Sequence, residues 1–219
     1  LEDADMHLAI NGIVGGIFPA TGQSCISGSR ILVQRNQLET LSERLVKVAT
    51  RAKVGDPQDP STQVGPIANR PHYEKVNRDI ENALADGASL LLDGRGKGPD
   101  KGYYIGPTIF TGITNKATLA QEEIFGPVLT TIAFKDAEEA LKIGNDTVYG
   151  LAAAVWTRDI TTAHRMARGL RAGTVWVNTY DAVDMSTPFG GYKQSGWGRE
   201  MGHEVLDLYT ETKAVCIGL

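Results

Sequence analysis

Cysteine is scarce in this sequence: among 219 residues there are only two, Cys25 and Cys216. That count does not make a disulfide framework, so the stapled secreted scaffolds are excluded and a reducing, cytoplasmic setting is favoured. Long apolar runs are missing as well. No stretch reaches the length of a membrane span, and the N-terminus has no basic segment followed by an apolar one. Neither sign of charge dominates, with 22 Lys and Arg against 26 Asp and Glu and a formal net charge of -4. Neither nucleic acid nor an anionic membrane is therefore expected as a partner. The histidines His7, His72, His164 and His203 are scattered without ligand spacing, and no metal site is expected.

What is present is the composition of a soluble globular protein, 42% hydrophobic and 22% charged. The length is ample for one core. "LEDADMHLAI" opens without an initiator Met and runs straight into a helical pattern, as a piece of a longer protein would. Two periodicities then alternate. Leu8, Ile10, Ile13, Val14, Ile17 and Phe18 share one helical face, with Asp3 or Asp5 available to cap it. "RILVQ" reads as a buried strand. Leu38, Leu41, Leu45, Val48 and Ala52 form a second amphipathic helix, and Tyr73, Val76, Ile80 and Leu84 a third. "SLLLD", "PTIFTGI", "VLTTIAF", "GLAAAVWT" and "GTVWVN" are strand candidates, with helices over "AEEALKIGN" and "TTAHRMARGL". "GDPQDPSTQVGP" and "GRGKGPDKG" are loops. The alternation predicts a three-layer α/β fold, an open and mostly parallel sheet with helices on both faces. The tail "YTETKAVCIGL" alternates like one further strand.

Glycines three residues before and after Cys25, in "GQSCISGSR" (Gly22 to Arg30), leave room for a reactant and free backbone N–H groups near a thiol. Free cysteines are mostly buried small apolar side chains, and Cys216, in an apolar tail, fits that description. On the loop alone the buried reading of Cys25 leads.

Other motifs extend the pattern. "GQSCISGSR" resembles the catalytic-cysteine motif of the aldehyde dehydrogenase superfamily. "EEIFGPV" (Glu122 to Val128), "NDTVYGLAAAVWT" (Asn145 to Thr157), "AGTVWVN" (Ala172 to Asn178) and "PFGGYKQSGWGRE" (Pro188 to Glu200) are similar to its further motifs, in the same order. The resemblance covers essentially the whole chain. It implies NAD(P)-dependent oxidation of an aldehyde to a carboxylic acid, with Cys25 as nucleophile and its own N–H as one oxyanion donor. It implies that Glu123 binds the ribose beside the nicotinamide, that Phe125 lies against the nicotinamide ring, and that Lys75 and His72 contact the adenosine ribose. Exposed cations are otherwise simply solvated. Ser24 and Ile26, flanking the thiol, and Asp181, Val183 and Phe189 are expected to line the aldehyde pocket. Glu200 either relays a proton or holds a loop by an ion pair, and Arg199 is expected to pair with Glu211.

The resemblance also implies that residues 1–209 are the catalytic domain and that 210–219 form an oligomerisation strand completed by another subunit. The second oxyanion donor, the general-base glutamate and the pyrophosphate site are expected in a cofactor domain ahead of Leu1. Two alternatives remain: a coenzyme A-acylating enzyme, or a non-enzymatic protein that keeps the fold.

Overall fold

A computed structural model describes all residues, Leu1–Leu219. Helix α1 (Met6–Ile17) begins where the Asp5 carboxylate accepts the His7 and Leu8 N–H groups, so Asp5 and not Asp3 is the cap. Its apolar stripe buries Ala9, Ile10, Ile13 and Ile17. Strand β1 (Arg30–Gln34) and helix α2 (Leu38–Ala49) follow the cysteine loop. Helix α3 (Arg70–Ala85) is capped by Asn69, with Pro71 in its first turn, where a missing N–H costs nothing. Strands β2 (Ser89–Leu92) and β3 (Thr108–Thr111), the short helix α4 (Thr118–Gln121) and strand β4 (Val128–Phe134) complete the first half. Helix α5 (Ala137–Asn145), strand β5 (Ala152–Val155), helix α6 (Ile160–Gly169) and strand β6 (Thr174–Val177) form the second.

The strands form mostly parallel open sheets. In the larger one the order is β1-β4-β3-β2, with β1, β4 and β3 parallel and β2 antiparallel at the edge. β5 and β6 pair in parallel with each other alone, so the single sheet expected from the sequence is divided. Helices cover both faces of the larger sheet, and the side chains follow the period of two. Ile109 and Leu129 pack with Ile13, Ile17, Leu41 and Leu45 under α1 and α2. Their neighbours Phe110 and Val128 pack with Val76 and Ile80 of α3 on the other face. The two sheets meet through side chains, where Phe134, Val155 and Met166 share a small core with Leu32 and Val175.

The tail departs from its periodicity. A turn of helix, α7 (Leu206–Tyr209), is followed by residues 211–219 without regular structure and fully exposed. Cys216 is exposed too, so it is not the buried apolar filler that its neighbours suggested. No helix is long and apolar enough to cross a membrane.

Candidate active site

The cysteine loop and the "EEIFGPV" segment enter adjacent parallel strands from the same end. Cys25 lies just ahead of β1 and Phe125 just ahead of β4; Arg30 pairs with Thr130, and the Thr130 N–H donates to the Ser29 carbonyl at 2.9 Å. Open α/β sheets usually hold ligands at the carboxyl ends of their strands. Here the convergence is at the amino ends.

Cys25 is exposed. It occupies a central position of the four-residue turn closed by the Ser27 N–H donating to the Ser24 carbonyl at 3.0 Å. The Cys25 and Ile26 N–H groups donate to no protein acceptor. A thiol and a free N–H on one residue are what a nucleophile needs when its target carbonyl becomes an oxyanion. The loop is tied at both ends. The Gly28 N–H donates to Gly16 at the end of α1 at 2.9 Å, and Thr21 Oγ1 donates to the Gly65 carbonyl at 3.0 Å.

The opposite wall is the Glu123–Phe125 segment, held by α3. His72 Nε2–H donates to the Phe125 carbonyl at 2.6 Å, and Lys75 Nζ reaches the Glu123 and Ile124 carbonyls at 3.3 and 3.5 Å while pairing with Asp79 at 2.7 Å. These contacts hold Phe125 in a left-handed conformation, φ 59°, unusual for an aromatic residue. The Glu123 carboxylate is exposed and bonds to nothing in the chain. A cleft of about 540 Å³ is lined jointly by Ser24, Cys25, Ile26, Glu123 and Phe125. Phe125 also borders a second depression, with His72, Gln23 and Asn69.

A polar knot supports both walls. The half-buried Arg30 guanidinium donates to Asn115 Oδ1 at 2.5 Å and to the Ile143 and Gly144 carbonyls at 3.2 and 3.0 Å. Burial lowers its pKa, and the charge of Asp146 opposes that shift. Gln121, beside Glu122, donates to the Asn115 and Asp146 carbonyls. Lys193 Nζ bonds the Asn145 and Thr147 carbonyls at 2.7 and 3.0 Å. The conspicuous polar residues of "NDTVYG" and "GGYKQSG" therefore join loops to one another.

Other expected site residues stand apart from this cleft. Asp181 and Val183 are exposed on the loop after β6, and Phe189 is half-buried in a backbone bridge to Glu200, with N···O distances of 2.7 Å in both directions. None of these lines the cleft. Arg199 does not pair with Glu211. Its Nη1 donates to the Gly191, Trp197 and Gly198 carbonyls, and its guanidinium lies 5.3 Å from the centre of the Tyr192 ring. Backbone carbonyls close in sequence outcompete a carboxylate on an exposed tail.

Tyr180 is the residue that sequence reasoning missed. Its hydroxyl donates to the Ile26 carbonyl at 2.5 Å, it lines the same cleft, and its ring lies 4.9 Å from that of Trp176. Burial, with a smaller contribution from Asp181, pushes its pKa up to about 12. Asn178 (φ 55°) and Asp181 (φ 57°) bracket it in left-handed conformation, which Asn and Asp tolerate better than other side chains. No cluster of three or more His, Cys, Asp or Glu side chains is placed to hold a metal ion.

Comparison with known proteins gives a consistent answer. Residues 1–215 match the model of the aldehyde dehydrogenase family. A betaine aldehyde dehydrogenase of Brucella anthropi is 46% identical over 219 residues, covering 99% of this chain and 45% of that protein. An aldehyde dehydrogenase of Aspergillus niger is 46% identical over 214 residues, covering 98% and 43%. Among solved structures, the NAD+ complex of an aldehyde dehydrogenase from Bacillus cereus superposes with a TM-score of 0.95 at 45% identity, over 98% of this chain and 44% of that one. An aldehyde dehydrogenase of Mycobacterium tuberculosis complexed with NAD+ gives a TM-score of 0.95 at 40% identity, over 100% and 45%. The chain thus spans about half the length of the relatives it matches.

Proposed function

Since this chain belongs to the aldehyde dehydrogenase family, we propose that it carries the nucleophilic half of an NAD(P)-dependent aldehyde oxidation, with Cys25 as the attacking thiol. The observation that carries this reading is the exposed Cys25, with its own N–H unpaired, facing a cleft shared with Glu123 and Phe125. Cys25 Sγ adds to the aldehyde carbon, and the oxygen that becomes anionic takes a hydrogen bond from the Cys25 N–H. NAD(P), when bound, supplies the acceptor of the aldehyde hydride. Hydride loss leaves an acyl group on Cys25 Sγ, and water then releases the carboxylic acid and restores the thiol. The base that activates that water belongs, by the family resemblance, to sequence ahead of Leu1.

The residues present suit the cofactor. The Glu123 carboxylate is exposed and uncommitted, so it can accept from two ribose hydroxyls. Phe125 offers an aromatic ring on a backbone held in the left-handed conformation. His72 and Lys75 serve this end through the carbonyls they hold, alongside any contact of their own with the adenosine ribose. Ser24 and Ile26 border the aldehyde. Asp181, Val183 and Phe189 do not line the cleft, so their place beside the aldehyde, like the role of Glu200, rests on the family resemblance alone. Residues 210–219 are read as a strand completed by a second copy, a reading supported by the exposure of Tyr209, Val215 and Ile217.

A pulse of activated ester or aldehyde followed by peptide mass spectrometry tests the reading. The adduct is expected on Cys25 and lost in Cys25→Ala; an adduct on Cys216, or none, would remove the thiol from the mechanism. Release of the acyl group to coenzyme A in place of water would mark the acylating branch.

A further inference from the structure

Three features meet at Tyr180. Its hydroxyl bonds the carbonyl of Ile26, the residue after the thiol. Its ring fills a notch between two glycines on other segments. A Cβ at Gly16 would lie 2.7 Å from Tyr180 Cδ1, and one at Gly28 would lie 3.1 Å from its hydroxyl oxygen. The turn that carries it is fixed from behind, because Trp176 Nε1–H donates to the Ala182 carbonyl at 2.9 Å and the Asn178 side chain makes paired bonds of 3.0 and 2.8 Å with Thr157.

The consequence lies in the peptide geometry. Cys25 and Ile26 are the central residues of the turn, so the direction of the Ile26 carbonyl and that of the Cys25 N–H are set together. The intraloop bond from Ser27 to Ser24 closes the turn without fixing its tilt. The backbone bond from Gly28 to Gly16 holds only the exit. The Tyr180 hydroxyl alone grips the turn itself from another element.

We propose that Tyr180 is a positioning residue for the oxyanion donor: by holding the Ile26 carbonyl it aims the Cys25 N–H at the carbonyl oxygen of the bound substrate. This rests on Cys25 being the nucleophile. Alkylation by iodoacetamide needs the thiol but develops no oxyanion, whereas acylation by an activated ester needs both. A loss of aim slows only the second.

The experiment uses the full-length protein without cofactor and compares wild type with Tyr180→Phe, which removes one oxygen and keeps the ring. Ester acylation at Cys25 should slow roughly tenfold, the worth of one misdirected donor, while iodoacetamide alkylation stays within about twofold. Gly28→Ala, whose methyl group crowds the hydroxyl, should show the same split. The double variant should be no slower than Tyr180→Phe alone. An unchanged ester rate, or an equal loss with both reagents, would overturn the proposal. Failure of the nucleophile reading is separate, since acylation would then persist in Cys25→Ala.

Discussion

Gly22 and Gly126 pack backbone against backbone. A Cβ at Gly22, where φ is +67°, would lie 2.1 Å from the Gly126 carbonyl oxygen. This contact seats the cysteine loop on the segment that carries Glu123 and Phe125, and no side chain can flex to relieve a clash there. Gly22→Ala should therefore cost roughly 2–4 kcal/mol of stability and slow acylation of Cys25. Gly15→Ala is the control. It has nothing within 4 Å of its Cβ and lies inside α1, so it should stabilise by about 0.5–1 kcal/mol. Urea denaturation of the two variants checks both signs.

Asp3 joins the entry of α1 to the loop after β5. Its carboxylate accepts from Thr157 Oγ1 at 2.6 Å and from the Arg158 and Asp159 N–H groups at 2.8 and 3.1 Å. Burial alone would raise its pKa, but these bonds outweigh it and hold the value below 3.8. A lowered carboxyl pKa contributes stability that is full above the unfolded value and is lost as pH falls through the folded one. Asp3→Asn should cost about 1–2 kcal/mol near neutrality. Its deficit relative to wild type should shrink under acid conditions, as read by thermal unfolding across pH.

His72 holds the backbone that presents Phe125. His72→Ala frees that carbonyl and relaxes the left-handed residue, so in the full-length protein the KM for the dinucleotide should rise roughly tenfold. Cofactor-free acylation of Cys25 should be unaffected. Steady-state kinetics beside ester turnover separates the two, and an equal loss in both would show that His72 supports the thiol as well.

Tyr180 gives an alkaline signature. Its pKa is about 12 in the fold against an ordinary 10.0. Below 10.0 the folded and unfolded chains both keep the proton, and the contribution is fully present. As pH rises toward the folded value the unfolded chain ionises first, and stability falls by up to about 1.4 kcal/mol per pH unit. Tyr180→Phe should flatten this slope in denaturant titrations at high pH.

Periodicity reached most of the fold because burial is written locally. "AEEALKIGN" and "VLTTIAF" coincide with α5 and β4 from end to end. It did not reach the division of the sheet, since which strand edges pair is a long-range matter that no local pattern encodes. In the site, the stretches around Cys25 and Phe125 were singled out by their resemblance to family motifs, because loop glycines and an acidic-aromatic run alone suit a structural role as well. Tyr180 was not, since its partner is a backbone carbonyl 154 positions away. The tail is legible only as a pattern whose partner lies outside this chain. Alternating residues around Val215 and Ile217 satisfy the strand period, yet a strand needs a neighbour, and this chain provides none for them.

The gap between the sheets also sets how the molecule breathes. β5 and β6 hold Trp176 and the turn of Tyr180, and they touch the four-stranded sheet through side chains such as Val155 against Phe134. Separating the two sheets breaks no ladder hydrogen bond, so amides in β5 and β6 should exchange faster than those of β3 and β4. Such an opening would withdraw the Tyr180 phenol from the Ile26 carbonyl. Because that opening must also release the bonds of Asp3 to Thr157, Arg158 and Asp159, the aim of the thiol's N–H is tied to contacts far from the reacting sulfur.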